Sequence, residues 1–488
     1  MSKLNFRGLL PFLKPLALVV AIQNSMITNA YAERFVVDSE QKLREAIVAI
    51  NSKSGAHFID IKGKVLVSEA LPPILNSVTI RGVSEDFNQN FLQAEGVGRL
   101  LTIGSSELGP RILVQIQDIG LVGGQAHGGD GQDGGGGGLG AGGAIFVNSR
   151  ADLIVENIYV ANNIALGGNG GIGKGGGGGG LAGHGGSGQG AGGGGLLGDG
   201  GQAVDRAAGG GGFANGGLGN MQAGGGGGLT NGGSSQQNTA QHGDWSLAWL
   251  KNNNHSGEGS GVNNVGASAD QGGGGGSGDN TILGAGGGGG FAGQSAQGEN
   301  GGLGGVLGGG GAAGLNGRGG DGGFGGGGGG SINGHAGNGG FGGGGGSSVN
   351  ALGGDGGFGA GAGSGVQVGQ SGVGAGTASQ LGGAGGAGIG GAIFVKDGGS
   401  LSLGKTVVIK ENQVFAGTDA SDQQNAQVAG KGLFLQGSGN LFLRGFNENQ
   451  FTIEDEISDA LGAGLTGATD FDRWNVVITA LLHKSILS

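Results

Sequence analysis

The chain has 488 residues, room for two or three ordinary domains, but 138 of them are glycine, only 5 are proline and none is cysteine. It lacks the strict Gly-X-Y period of collagen, and its charged residues, at 12%, are too few for a solvated disordered chain. A formal charge of −11 without any Lys/Arg cluster argues against nucleic-acid partners and against polybasic docking on anionic lipid.

Residues 1–32 read as an export leader. Lys3, Arg7 and Lys14 precede the apolar run Leu16–Ile22, and Ala30-Tyr-Ala32 supplies a small-x-small cleavage pattern before Glu33. Removing those three cations takes the formal charge from −11 to −14. No later run approaches the ~18 apolar residues a membrane helix needs. An exported chain without cysteine has no disulfides, so its stability must come from hydrogen-bond ladders and stacked side chains.

After the leader, Phe35-Val-Val37 predicts a short strand. Leu43, Ala46, Ile47 and Ile50 then recur at helical spacing behind Ser39, placed as N-cap. Short alternating runs follow at 57–61, 64–67, 77–80, 100–103 and 112–121, separated by Gly, Asn, Pro or Ser turns, which suggests a sandwich, a barrel or a solenoid. A repeat decides among them. Residues 142–147 read Gly-Gly-Ala-Ile-Phe-Val, and 390–395 read the same. Each copy continues into a strand pattern that closes on an asparagine, 18 residues after the motif's Ala for Asn162 and 20 for Asn412. That is about one coil of a β-solenoid, and it predicts that the two copies lie side by side.

These residues resemble a known family. Gly-Gly-Ala-Ile followed by Tyr159-Val-Ala-Asn162, and again by Ile409-Lys-Glu-Asn412, is similar to the GGA(I/L/V) and FxxN repeats of polymorphic outer-membrane proteins and related autotransporter passengers, with Tyr and Ile where that family favours Phe. The helix around Leu43, Leu71-Pro-Pro-Ile74 and Val78–Gly82 resemble the start of pectin-lyase-like β-helices. The resemblance covers roughly 33–167 and 390–460. It implies an all-β, right-handed parallel β-helix with an N-terminal capping helix, export, and an adhesive role at the cell surface or outer membrane.

Residues 33–167 are thus read as N-terminal coils, 168–389 as a glycine-rich lateral insertion, and 390–488 as C-terminal coils and tail. A solenoid tolerates such an insertion because each coil touches only its neighbours. Within it, glycine runs end in one large apolar residue at Leu181, Leu196, Phe213, Leu229, Phe291, Leu307, Phe324, Phe341 and Phe358. The gaps are 15 to 17 residues apart from an interruption at about 230–290. That regularity favours an ordered array over a linker, either a polyglycine-II-like bundle with the Leu or Phe landing at an edge or tip or, as the runner-up, a thin β-solenoid that would want a β-branched core these tracts lack. The interruption carries Trp245 and Trp249, either a small packed turn or a recognition knob.

Motifs of chemistry are weak. Gly399–Thr406 matches the phosphate loop G-x4-GK[ST], but strand-like sequence flanks it on both sides where the motif needs a following helix. Gly128-Gly-Asp-Gly-Gln-Asp133 matches six positions of a calcium nonapeptide, and Asp321 and Asp355 sit in partial copies; solvated turn aspartates are the plainer reading of Asp130, Asp133, Asp321 and Asp355. For hydrolase or lyase chemistry the coils offer Asp60, Asp118, Asp152 and Glu156 without an Asp-Asp pair, and the histidines at 57, 127, 184, 242, 255, 335 and 483 show no metal spacing. No catalytic, cofactor or metal residue is assigned. The apolar end Leu481–Ser488, with no barrel-type segments before it, hints at a truncated passenger. The expectation is an exported, non-enzymatic, adhesin-like protein binding a host or environmental glycan or protein surface. The alternatives are a self-associating spacer, a crystal- or ice-binding surface, and a polysaccharide lyase or hydrolase of the pectin-lyase-like fold.

Overall fold

A computed structural model describes residues 32–53, 55–96, 98–104, 110–203, 208–212, 235–236, 239–240, 300–305, 308–421, 425–445 and 451–480. The leader up to Tyr31, Phe213, Leu229, the Trp245/Trp249 segment, Phe291, Leu307, His242, His255 and His483 lie outside the described residues.

Among the described residues the chain is all-β with one helix. The main sheet runs in the order Arg34–Val37, His57–Ile61, Val78–Gly82, Ile112–Val122, Ala151–Ala161, Ser400–Lys410, Gly439–Gly445 and Trp474–Ala480, every pair parallel. A second parallel sheet stacks Leu101–Ile103, Ile145–Val147, Ile393–Val395, Leu433–Leu435 and Ile457–Asp459. Two smaller ones join Gln125–His127, Ile164–Leu166 and Gln413–Phe415, and Gly140–Ala141, Gly388–Ile389 and Val428–Ala429. The chain visits the four sheets in one order before the glycine-rich stretch and in the same order after it. The repeat copies pair residue for residue: Ile145 with Ile393, Phe146 with Phe394, Val147 with Val395.

Alternation explains the strands. Leu153, Val155, Ile158 and Val160 are buried, and the alternation skips once at Asn157, whose left-handed backbone (φ 52°) bends the strand. The next copy carries an extra residue at this bend, and the register shifts there. That bulge corrects the sequence alignment of the closing asparagines. Asn412 stands beside Asn163 rather than Asn162, and the Asn163 N–H donates to Asn412 Oδ1 at 2.9 Å.

The helix Glu40–Asn51 covers one end of the strand stack with Leu43, Ala46, Ile47 and Ile50. Ser39 is its N-cap residue, but the side chain makes no capping bond; only its carbonyl accepts the Leu43 N–H, at 3.1 Å.

The glycine tracts form an ordered array. Successive N–H groups point to different neighbours: Gly344 to Gly179 (2.7 Å), Gly345 to Gly361 (2.9 Å) and Gly346 to Gly337 (2.9 Å). Three residues further on, Ser347 returns to Gly176 (2.8 Å) and Ser348 to Ser364 (3.0 Å). Bonding therefore repeats every third residue along an extended chain. No side chain fits between such neighbours, since a Cβ on Gly344 would stand 2.0 Å from the Gly136 carbonyl oxygen. The tract at 128–138 belongs to the same array, with Gly136 bonded to Gly345 and Gly137 to Ala384.

The periodic Phe residues do not end at a free edge. Phe324, Phe341 and Phe358 stack at centroid spacings of 5.5 and 5.4 Å, and each lies within 6.4 Å of a Phe in the row Phe146, Phe394, Phe434. Leu181 and Leu196 join the same cluster. The array is seated on the strand stack through this double row, which the Arg99 guanidinium caps at 5.1 Å from the Phe146 ring while Lys396 lies 4.9 Å from that of Phe341.

Candidate binding surface on the outer turns of the array

The 17-residue period places like residues on top of one another. Leu315-Asn316, Ile332-Asn333, Val349-Asn350 and Val366-Gln367 occupy equivalent turns. The turn is short because the extended tracts on either side cannot continue through it, and Ser331 and Ser348 hold it by donating to the Gly334 carbonyl. Asn333 Nδ2 donates to Asn316 Oδ1 at 2.9 Å, and Asn350 Nδ2 to Asn333 Oδ1 at 2.8 Å. The Asn333 and Asn350 backbones add bonds to the Leu315 and Ile332 carbonyls, at 3.1 and 2.8 Å.

An asparagine amide has two N–H donors and an acceptor oxygen with two lone pairs. Asn333 spends one of each within the ladder, so each internal rung keeps hydrogen-bonding capacity towards solvent. The three asparagines are exposed, with Leu315, Ile332 and Val349 half-buried beside them. Val366 (49% exposed) stands at the next turn of the same period. Five residues of extended chain, 326–330, lie between the turn at Phe324 and Ser331, so these turns stand roughly 15–20 Å from the Phe rows at about 3 Å per residue.

A second ladder runs nearer the Phe end. The Asn338 N–H donates to Asp321 Oδ1 (2.7 Å), Asp355 N–H to Asn338 Oδ1 (2.9 Å) and Gln370 N–H to Asp355 Oδ1 (2.7 Å). Asp321 and Asp355 thus brace turns. Asp133 does the same for the Gly188 N–H at 2.6 Å. Asp130 accepts the Asn169 N–H at 2.7 Å and lies 3.4 Å from His184 Nδ1, and that contact raises the pKa of His184. Burial lowers that of nearby His127. Among the described residues no cluster of three or more His, Cys, Asp or Glu could hold a metal ion.

The strand carboxylates are spread along the main sheet, each with its own partner. Asp60 is buried between Arg34 and Arg81. Asp118 accepts from Asn157 Nδ2 at 2.7 Å, Asp152 binds Arg111 at 2.5 Å, and Glu156 faces Lys405 at 3.7 Å. A shallow polar groove runs past Arg34, Arg81, Asp118, Asn157 and Lys405. Gly399–Thr406 leads into the continuous strand Ser400–Lys410, so it makes no strand-loop-helix turn for a phosphate. His57 is buried, with Nδ1 accepting the Glu33 N–H at 3.3 Å and Nε2 lacking a partner, while His335 is exposed on the array.

The amide ladder escapes a reading that follows only the large apolar residues. Its signal was an aliphatic-amide dipeptide recurring with the Phe period. Comparison with known proteins adds nothing to this geometry: the chain matches no protein family, no curated protein and no solved structure.

Proposed function

We propose that this chain is an exported, surface-exposed attachment protein of the passenger type. In this reading the strand stack is a right-handed parallel β-helix acting as a stalk. The glycine tracts are a polyglycine-II-like bundle inserted at one turn, and the bundle's outer turns meet a glycan or protein surface. The leader-like N-terminus, the Gly-Gly-Ala-Ile-Phe-Val repeats and the three-residue bonding period support it. Among the described residues no helix is long and apolar enough to cross a membrane.

The observation that carries the proposal is the exposed Asn316–Asn333–Asn350 ladder beside an aliphatic column. Regularly spaced amides next to apolar strips suit a polymer that offers a hydroxyl or peptide group and an apolar face at each repeat. Rigid backbone support avoids the ordering cost that weakens flexible binding loops.

The test is a panel of polysaccharides and matrix proteins probed with the whole secreted chain and with a variant carrying Asn316→Ala, Asn333→Ala and Asn350→Ala. Retention that falls at least tenfold in the variant, with an unchanged circular dichroism spectrum, is expected. Equal retention by both proteins would sink the assignment, and no retention by any member would leave the array in the spacer role.

A further inference from the structure

The outer turns have a spacing that selects among polymers. Successive turns are one 17-residue period apart, and Ser331 pairs with Ser348 in a parallel bridge. Such pairing sets neighbouring chains about 5 Å apart. The rings at the other end of the same rows repeat that distance, 5.5 Å from Phe324 to Phe341 and 5.4 Å from Phe341 to Phe358. Their planes turn by only 9° and 3° from row to row, whereas neighbouring strands of an ordinary sheet rotate by about 20–25°. Asn316, Asn333 and Asn350 therefore form a nearly straight, untwisted line of amides, bonded rung to rung at 2.9 and 2.8 Å. Gln367 is exposed at the next turn, which makes four amides in a row beside Leu315, Ile332, Val349 and Val366.

We propose that the ladder binds an unbranched β-1,4-linked hexose chain, one sugar ring to each rung. The proposal rests on the outer turns being the attachment surface and names what attaches there. In a β-1,4 chain both bonds of each linkage are equatorial, so the polymer is a straight, flat ribbon. It advances by close to one rung per ring, carries hydroxyls along both edges and shows C–H groups on its faces. Each rung gives its free amide N–H and carbonyl lone pair to a ring hydroxyl, while the aliphatic side chain beside it covers C–H surface. A peptide strand fits the ladder poorly. Its like-facing side chains recur about every 6.7 Å, more than about 1 Å longer than a rung, and the error accumulates. A polyproline-II segment returns to one face about every 9 Å and leaves every second rung unused. An α-1,4-linked chain coils and cannot follow a straight line. Because backbone bonds hold the turns before any ligand arrives, each added ring gains contacts without ordering a further loop.

Isothermal titration calorimetry of the full secreted chain tests it, with cello- and chito-oligosaccharides of two, three and four rings and maltotetraose as the α-linked control. Affinity for one of the two β-linked series is expected to rise at least tenfold from two rings to four, and to exceed that for maltotetraose at least tenfold. Asn333→Ala, in the middle of the ladder, is expected to weaken four-ring binding at least tenfold and two-ring binding less than threefold, since two rings can sit on Asn350 and Gln367. The length series needs only the wild type, so it decides the matter even if the variant misfolds. Affinity that does not grow with chain length, equal binding of maltotetraose, or no binding of either β-linked series would overturn the proposal. So would a folded Asn333→Ala that binds four rings as the wild type does. Retention of a matrix protein or an α-linked polymer that depends on the three asparagines, without β-1,4 binding, would overturn it while leaving the outer turns as the attachment surface.

Discussion

Asn163 and Asn412 sit at the same corner of successive strand circuits, buried and joined side chain to side chain. Asn163 Oδ1 accepts the Gly124 N–H at 2.8 Å, and its Nδ2 donates to Asn412 Oδ1 at 2.9 Å and to the Ala161 carbonyl at 3.0 Å. Replacing it by Ala strands buried backbone groups, and Asn163→Ala is expected to cost about 1–3 kcal/mol in urea denaturation. Its neighbour Asn162 is exposed and left-handed (φ 56°), so Asn162→Gly is expected to change stability by less than about 0.5 kcal/mol or to raise it. A second residue ties the helix to the stack. Burial pushes the Glu40 carboxyl up, but the Ser68 N–H and hydroxyl, Arg44 and the Glu69 N–H outweigh that and hold its pKa at about 2, below an ordinary 4.5. A lowered folded pKa stabilises the native state above the unfolded value, and that gain is lost as pH falls through the folded one. Glu40→Gln should therefore lower the melting temperature at pH 7, with the deficit shrinking between pH 4.5 and pH 2; a deficit that does not change with pH would contradict the assignment.

At the scale of elements, the decisive contact is between the two Phe rows. Phe146, Phe394 and Phe434 belong to three successive strands of the second sheet and are fully buried, because Phe324, Phe341 and Phe358 of the array cover them. Phe394→Ala leaves a cavity beneath stacked rings, and a loss of about 3–5 kcal/mol is expected. Hydrogen exchange on the same variant should show faster opening of residues 325–358 than of Ala151–Ala161, since the array loses its seat while the main sheet keeps its ladder. Arg99 closes the row. It donates to the Ala141 carbonyl at 2.7 Å, and burial brings its pKa down to about 10, so it stays charged at any physiological pH. The third Phe of the row is not announced by the sequence because its motif is worn down to Gly430-Lys-Gly-Leu-Phe-Leu435, where only Gly430 (φ 61°) and the central Phe survive from the earlier copies. Strand pairing identifies it at once, with Phe394 opposite Phe434.

At the scale of the whole molecule, the array and the strand stack share one apolar interface, so neither is a passive appendage of the other. Deleting residues 168–386 would bare Phe146, Phe394 and Phe434 together. The expected outcome is loss of soluble protein, measured as yield after centrifugation, with recovery when those three are replaced by serine; a soluble, folded deletion without that replacement would contradict the shared interface. The repeat Gly-Gly-Ala-Ile-Phe-Val was enough to place 145–147 beside 393–395 across the long glycine-rich stretch, because parallel in-register stacking puts identical residues together. The helix and six of the early strands were legible for the same kind of reason, since period and turn chemistry are local. Three features were not: the one-residue bulge that pairs Asn163 with Asn412, the docking of the array's Phe on the strand stack, and the free amide ladder on the outer turns. Each depends on which segments meet in space. Glycine carries no side-chain pattern to announce its neighbours, and the direction of each array strand is chosen by hydrogen bonds to tracts that can lie two hundred residues away.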